Sequence, residues 1–437
     1  MIPTKRILYL LLVLLVVAIF TVVVPENKLY SRSWLILLVV FALISMLDAL
    51  LVWKQTTPRV QRYLPGSLAL GVSEPVQLRI DHDNPYTLNL SLYDHHPLSM
   101  EVSELPQSFK LKPGKYSDIY YRVTPTERGE VTFPFVQIHI HSPLGLWKRN
   151  NKIPQKSVTR VYPNFAAVAK YTLLAADNQL TQMGIRRRRQ RGEGQDFHQL
   201  REYREGDPLR QIDWKASSRH RKLISREYQE ERDQDIIFLL DCGHRMLARD
   251  ETLSHFDHSL NAILLLAYVA LRQGDAVGFG NFSGDERWLN PIKGKNRISH
   301  LFNTLYDIQP TTEAPDFIAA AKRLLLQQKK RALVVLITNL RDEDHADLLP
   351  AIKMLQRKHL VLVASMREQA LDGVMHEQVN DFKQAIQYAA TREYLDQRDQ
   401  AIEKLHINGA LCIDVIPQDL SVSLVNQYLE IKASGIL

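Results

Sequence analysis

Two long apolar runs come first in the chain. Residues 7–24 carry no charge, and residues 34–53 carry one acid, Asp48. Each run has about the length that a helix needs to cross ~30 Å of hydrocarbon. The pattern predicts a two-helix transmembrane hairpin over residues 1–56.

Basic residues flank the two runs on their outer sides. Lys5 and Arg6 precede the first run, and Lys54 and Arg59 follow the second. A cleaved signal peptide is the alternative interpretation of the first run, but no small-x-small cleavage site follows Phe20. By the positive-inside rule both ends are cytoplasmic. We therefore expect a multi-pass protein of the inner (cytoplasmic) membrane with its soluble domains in the cytoplasm.

Short alternating segments occupy residues 57–165. Apolar and polar positions alternate at 76–80, 88–92 and 131–140, and turn-forming pairs such as Pro113-Gly114 separate the segments. This period of two, broken by turns, is typical of half-buried strands. About a hundred residues of it predict a small antiparallel β-sandwich.

From residue 234 the pattern changes to alternating strands and helices. Apolar runs typical of strands buried on both faces lie at 235–240, 276–282, 332–338, 360–364 and 410–415. Helical patterns lie at 254–272, 297–308, 316–328, 343–358, 380–405 and 420–428. The alternation predicts an α/β domain over residues 234–437 with a doubly wound parallel sheet.

Positive charge is concentrated between the two predicted soluble domains, in residues 166–233. Residues 186–226 hold 13 Lys and Arg against 6 Asp and Glu, a surplus of +7 that equals the net charge of the whole chain. The densest part is Arg186, Arg187, Arg188 and Arg189. A solvated segment, an anionic lipid headgroup and an acidic protein face are the alternative interpretations. No recognised nucleic-acid fold surrounds the run, so we expect no nucleic-acid partner.

Cysteine and histidine give little sign of a metal site. Cys242 and Cys412 lie far apart in predicted strands and indicate core residues in a reducing compartment. His139 and His141 alternate on one strand, without a Cys or acid at ligand spacing. We interpret these histidines as surface residues.

Residues 194–228 interleave opposite charges with aromatic side chains, which neither a solvated loop nor a core strand needs. The characteristic positions are Arg201, Tyr203, Asp207, Arg210, Asp213, Trp214 and Lys215. The spacing of Asp207, Arg210 and Asp213 predicts one side of a short helix. Trp214 is expected to be a buried anchor, so that the segment folds onto the sheet domain. This structural role does not exclude a partner that binds the arginine run.

The order of these residues resembles a bacterial, membrane-anchored family known as domain-of-unknown-function family fifty-eight. The resemblance implies a von Willebrand factor A-like domain, a fold in which an Asp-x-Ser-x-Ser loop, a Thr and an Asp bind a divalent cation. It also implies a partner, since members usually accompany a MoxR-type AAA+ ATPase.

The cation ligands that this resemblance implies are incomplete. Asp241 is present, but Gly243 and Arg245 stand at the two serine positions and Asn339 at the second aspartate. Thr311 or Thr312 would supply the threonine. Mg²⁺ prefers hard oxygens, and Arg245 would repel it, so we expect no cofactor and a degenerate site. Arg245 either pairs with Asp241 or points to solvent.

The sequence contains no P-loop, GxSxG or HExxH motif. We therefore expect a non-enzymatic, membrane-tethered adaptor or assembly factor whose partners are a MoxR-type AAA+ ATPase and membrane lipids. Two alternatives are a cation-dependent ligand-binding module of the von Willebrand A type and a metal-assisted hydrolase that uses Asp241, His244 and the basic run.

Overall fold

A computed structural model describes residues 1–23, 28–164, 196–204, 209–229, 234–250, 253–341 and 345–436. The chain is a mixed α/β protein with several sheets. It divides into two compact units, Met1–Tyr162 and Pro163–Leu437.

Two apolar helices begin the first unit. They are α1 (Lys5–Val23) and α2 (Lys28–Trp53), and the Trp34 indole donates a hydrogen bond to the Leu14 carbonyl at 3.1 Å. Within the described residues, one segment, Arg32–Trp53, is long and apolar enough to cross a membrane. The N-terminal prediction is thus confirmed as far as one candidate membrane helix.

Two sheets form the rest of the first unit. Their strands are β1 (Ile2–Pro3), β2 (Arg59–Tyr63), β3 (Ser67–Ala69), β4 (Glu74–Asp81), β5 (Leu88–Asp94), β6 (Met100–Ser103), β7 (Gln107–Leu111), β8 (Tyr116–Pro125), β9 (Gly129–His141) and β10 (Trp147–Tyr162). One sheet has the order β1-β10-β9-β5-β7, with β3 paired to β10, and the other has the order β2-β4-β8-β6. All pairs are antiparallel except β3 with β10. The alternating pattern of β4 and β5 is seen as alternating burial.

Asp48, the acid in the second apolar run, accepts hydrogen bonds from the backbone of the turn between β9 and β10. Asp48 is buried, and its carboxylate accepts hydrogen bonds from the Leu144 N–H at 3.0 Å and the Leu146 N–H at 3.3 Å. The Trp147 indole donates to the Ser45 carbonyl at 3.1 Å. Because a buried carboxylate is costly without donors, these bonds explain why the helix tolerates the acid. They also tie α2 to the β9–β10 turn.

The histidines of β9 lie half-buried on the sheet and contact polar neighbours. The Ser91 hydroxyl is 2.8 Å from His141 Nε2, and the Gln137 amide nitrogen is 3.1 Å from His139 Nε2. Burial lowers the pKa of both imidazoles, with a smaller contribution from Lys148. Their partners are side chains of the same sheet.

The second unit is built around a six-stranded sheet. Before it come β11 (Asp196–Glu202), α3 (Trp214–His220) and β12 (Ile224–Gln229). The sheet strands are β13 (Asp235–Asp241), β16 (Ala276–Phe282), β17 (Trp288–Lys293), β18 (Ala332–Thr338), β19 (Leu360–Met366) and β20 (Leu411–Val415), and a small pair, β14 (Arg249–Asp250) and β15 (Leu253–Ser254), lies apart. The order is β17-β16-β13-β18-β19-β20, and only β17 runs antiparallel to its neighbour.

Helices connect these strands and cover two separate cores. They are α4 (His255–Gln273), α5 (Ile298–Leu305), α6 (Phe317–Gln327), α7 (His345–Gln356), α8 (Gln369–His376), α9 (Phe382–Ile407) and α10 (Leu420–Ser434). Alternate residues of β13 enter opposite cores: Phe238 packs with α4, α5 and α10, and Leu239 packs with α6, α7 and α9. Every residue of β13 and β18 is buried, as the continuous apolar runs predict.

Both cysteines are free thiols. Cys242 is buried in the core beside β13, as predicted. Cys412 is half-buried in β20, where burial, with a smaller effect of Asp414, raises the pKa of its thiol to about 12.

Candidate functional site

The carboxyl edge of the parallel strands is the natural place for a site in this architecture. Asp241 ends β13 there and is fully buried. Its Oδ1 accepts a hydrogen bond from the Gly243 N–H at 2.7 Å, and its Oδ2 accepts one from the Thr338 hydroxyl at 2.7 Å. Donors of the chain itself therefore contact both carboxylate oxygens.

The backbone around Gly243 leaves no room for a side chain. A Cβ at this position would lie 2.9 Å from the Glu313 carbonyl oxygen and 3.0 Å from Asp241 Oδ1. The same carbonyl accepts the His244 N–H at 3.1 Å, which keeps the segment around Glu313 close to the Asp241 turn. A serine ligand at 243 would require this backbone to move.

The threonine that contacts Asp241 is not one of the two predicted. Thr311 donates from its backbone N–H to the Cys242 carbonyl at 2.6 Å, and its hydroxyl donates to the Ser283 carbonyl at 3.0 Å. Thr312 is exposed. Thr338, the last residue of β18, reaches the Asp241 carboxylate instead, because neighbouring parallel strands end at the same edge.

Arg245 is buried, with 7% of its surface exposed, in the short 3₁₀ turn His244–Leu247. The interpretation that it points to solvent is therefore wrong. An ion pair between Arg245 and Asp241 stays a prediction.

Asn339 follows β18 and is fully buried. Its amide nitrogen donates to Glu368 Oε1 at 3.2 Å and lies 3.4 Å from His255 Nδ1. His255, also fully buried, places Nε2 3.0 Å from Asp250 Oδ2. An imidazole with its proton on Nε2 would donate to Asp250 and accept from Asn339.

A buried arginine, not singled out from the sequence, completes this edge. Arg398 of α9 is 2% exposed and forms an ion pair with Asp414, with Nη2 2.7 Å from Oδ1. Nη2 also donates to the Ser365 hydroxyl and the Met366 carbonyl, each at 2.6 Å, and Nη1 donates to the Leu340 carbonyl. Burial disfavours the charge, but the hydrogen bond and the charge of Asp414 outweigh it and raise the pKa of Arg398.

The sequence does hold a signal for Arg398. The buried residues of α9 are Arg398, Ala401 and Leu405, at spacings of three and four that mark one face of a helix. A cation on that face predicts a buried acid or carbonyl partner.

The edge therefore contains acids and amides that the chain's own donors contact. The guanidinium of Arg398 lies at this edge and binds the ends of β18, β19 and β20 together. Within the described ranges, no three His, Cys, Asp or Glu side chains are grouped so that they could hold a metal ion.

The described part of the predicted signature segment forms a small hairpin within the second unit. β11 pairs antiparallel with β12, and α3 lies between them in sequence. Asp213 caps α3 by accepting the Ala216 N–H at 2.9 Å and pairs with Arg226 at 2.9 Å. These two contacts, the backbone bond first, lower the pKa of the Asp213 carboxyl.

Two expectations for this segment are wrong. Trp214 is 68% exposed, so it is not a buried anchor. Arg210 lies in a 3₁₀ turn, Leu209–Gln211, and Asp213 is an extended cap, so they share no helix. The turn that contains Arg210 ends at Gln211, whereas Asp213 caps the helix that begins at Trp214.

The remaining signature positions are placed as follows. The Arg201 guanidinium donates a hydrogen bond to the Glu202 carbonyl at 3.1 Å. Tyr203 is half-buried, and its N–H donates to the Leu223 carbonyl at 2.8 Å. Lys215 is exposed. Asp207 and the run Arg186, Arg187, Arg188 and Arg189 lie outside the described residues.

Comparisons with known proteins give one family match. Residues 199–404 match the family described as "Protein of unknown function DUF58". No curated protein matches. Among solved structures, the chain is similar to an aerotolerance-related membrane protein from Bacteroides fragilis NCTC 9343, at 15% identity over 45% of this chain and 98% of that chain, with a TM-score of 0.29.

Two further solved structures show weaker likeness. Proximal thread matrix protein 1 from the mussel byssus is 12% identical over 47% of this chain and 45% of that chain, with a TM-score of 0.25. A FixG-related protein from Vibrio parahaemolyticus is 10% identical over 24% of this chain and 94% of that chain, with a TM-score of 0.17. At these scores the neighbours carry no argument about function.

Proposed function

The chain belongs to the DUF58 family through residues 199–404, and from this premise we propose that it is a membrane-tethered, non-enzymatic adaptor or assembly factor that works with a MoxR-type AAA+ ATPase. Lipids of the membrane are its second class of partner. The ATPase partner is proposed from the family resemblance.

One observation carries the non-enzymatic part of the proposal: the polar edge of the sheet is engaged in contacts within the chain. Asp241 accepts from Thr338 and Gly243, and Asn339 donates to Glu368. An active site needs acids, bases or nucleophiles directed at a space where a substrate can bind. Here the polar groups form hydrogen bonds with each other instead. This supports a structural domain that binds its partners through its surface.

We propose further that the sheet of the second unit is a doubly wound, von Willebrand A-like domain. Its parallel strand order and the two cores on alternate residues of β13 support this assignment. Asp241 then holds the position of the first cation ligand. Arg398, a permanent cation, supplies positive charge at the same edge.

For the first unit, we propose a two-helix hairpin with both ends in the cytoplasm. The pairing of Pro3 with Trp147 supports it, because residues on either side of the two helices share one sheet. Reporter fusions after residue 60 and at the C-terminus should both report cytoplasm. A periplasmic signal from either fusion would contradict this topology.

The adaptor proposal is tested by association with the ATPase. Full-length protein in detergent should retain a MoxR-type ATPase from the same organism, and less of it at high salt because exposed charges are screened. Reversing the charge of Arg186 to Arg189 should weaken retention, whereas reversing the exposed Lys322 and Lys353 should not. If no association occurs at low salt in any nucleotide state, the adaptor proposal is wrong.

A further inference from the structure

We propose that the described part of the signature segment carries a docking surface for an anionic lipid bilayer. This Trp214 surface consists of Leu209, Trp214, Lys215, Arg219, Arg221 and Leu223. The inference rests on the proposed membrane tether and adds a second, peripheral contact to it.

Three large apolar side chains of this surface are exposed. Leu209 is 72% exposed, Trp214 68% and Leu223 48%. Backbone hydrogen bonds hold the three in one compact element, since Ile212 donates to the Leu209 carbonyl and Asp213 donates to the Ile224 carbonyl. Exposed apolar side chains that are grouped in one element, with polar residues around them, are typical of a surface that contacts a partner or a membrane.

The charged part of the surface is positive and unpaired within the described chain. Lys215, Arg219 and Arg221 are exposed, and none of them forms an ion pair with a described residue. The one acid in residues 209–223, Asp213, is engaged by the Ala216 N–H and by Arg226. The exposed Glu202 of β11 pairs with Lys222 at 2.7 Å, so both of these carboxylates already have cationic partners and Lys215, Arg219 and Arg221 are left for an anionic ligand.

The element that displays these side chains is fixed by local contacts. The Ser217 hydroxyl accepts the Ile224 N–H at 2.8 Å, which joins α3 to β12. Arg221 closes α3 in the left-handed region, at φ 54°. An element that is already ordered before docking loses less conformational entropy when it binds.

The combination favours a bilayer over an acidic protein face. Tryptophan prefers the boundary between headgroups and acyl chains, and flanking Lys and Arg gain attraction from anionic lipid. The same chain also carries the candidate membrane helix Arg32–Trp53. The tether keeps the surface at high local concentration near lipid, so even a weak contact would be occupied.

The test uses the full-length protein in nanodiscs of phosphatidylcholine, with or without phosphatidylglycerol. The helices insert in both discs, so the anchor does not distinguish them. Backbone hydrogen exchange in residues 209–223 should slow by a factor of several in the anionic discs, and high salt should remove the slowing. Equal exchange in the two discs would overturn the proposal.

Variants distinguish a specific contact at the Trp214 surface from a general effect of the protein's positive charge. Trp214→Ala and the pair Lys215→Glu with Arg219→Glu should each abolish the difference between discs, whereas Lys322→Glu with Lys353→Glu, also exposed, should preserve it. Loss in the control pair as well would mean nonspecific electrostatics and would sink the assignment of this surface. Association with the ATPase is measured in detergent without lipid, so the failure of one proposal does not imply failure of the other.

Discussion

Arg62 and Asp94 form a two-pronged ion pair inside the first unit, with Nη2 2.5 Å from Oδ1 and Nε 2.9 Å from Oδ2. Both side chains are 0% exposed, and they join β2 of one sheet to β5 of the other. The Tyr121 hydroxyl donates to the same carboxylate at 2.6 Å. Burial, together with the negative charge of Asp94, raises the pKa of Tyr121.

Removing one partner of this pair should be severe. Arg62→Met is expected to lower the free energy of unfolding by roughly 3–5 kcal/mol, because Asp94 would be a buried, uncompensated charge. Denaturant unfolding of the detergent-solubilised protein measures this. Arg59→Met removes an exposed pair with Asp83 and should change stability far less. Equal losses in the two variants would contradict the account.

Arg398 offers a second buried pair with a matched control. Arg398→Met should destabilise the second unit by roughly 3–5 kcal/mol, since Asp414 loses its cation and the ends of β18 and β19 lose a donor. Arg398→Lys should be intermediate, because a lysine keeps the charge but lacks the planar fork. Arg392→Met, which breaks an exposed pair one turn apart with Asp396, is the control. Its loss should be the smallest of the three in calorimetry.

We expect mutation of Thr338 beside the Asp241 turn to lower the stability of the protein, and metal ions to leave it unchanged. Thr338→Val should cost about 1–3 kcal/mol, because one oxygen of the buried carboxylate loses a donor. The wild type should show no rise in melting temperature with Mg²⁺ or Mn²⁺. Thr304→Val, which removes a surface hydroxyl bond to the His300 carbonyl, serves as the control. A clear metal-dependent rise would instead favour the cation-dependent binding module.

His359 predicts acid sensitivity. It is 3% exposed, and neither ring nitrogen has a hydrogen-bond partner in the described chain. Burial, with a smaller effect of Lys358, lowers the pKa of His359, so the unfolded state binds the proton more readily. Stability from the neutral ring is thus full above the unfolded value of about 6.5 and falls as the pH drops toward the lowered pKa.

The matching experiment follows unfolding between neutral and mildly acidic pH. His359→Leu should flatten the pH dependence, whereas the exposed His300→Leu should leave it unchanged. An identical slope for wild type and His359→Leu would show that this residue is not the source.

Asp48 predicts a local effect at the β9–β10 turn. Asp48→Leu removes the acceptor of the Leu144 and Leu146 N–H groups, so these amides should exchange with solvent faster. The neighbouring, exposed Leu47→Ala is the control. Unchanged exchange at both amides in Asp48→Leu would refute a holding role for this carboxylate.

Sequence alone predicted the central elements of the second unit well. The strands Ala276–Phe282 and Ala332–Thr338 match at both ends, because a continuous apolar run bounded by polar residues has few other stable arrangements. The helix predicted at 380–405 is observed as Phe382–Ile407. Apolar runs and the alternation of strand and helix patterns were sufficient for these.

The polar contacts were much harder to predict. Thr338 and Asp241 are far apart in sequence and meet only because β13 and β18 are neighbours, which strand order decides. Trp214 was misjudged because size and apolarity predict burial on average, whereas α3 has only seven residues and buries Ser217 alone. Short elements leave large side chains exposed when no second layer covers them.

The pairing of Ile2 and Pro3 with Lys148 and Trp147 also has a consequence for the order of assembly. A chain made from its N-terminus must hold its first strand unpaired until about 145 further residues have been synthesised. The two apolar helices are complete long before that point. In the proposed topology, membrane insertion of the helices precedes the closing of this sheet, and a bulky addition next to Ile2 would interfere with the closing of the sheet and not with insertion.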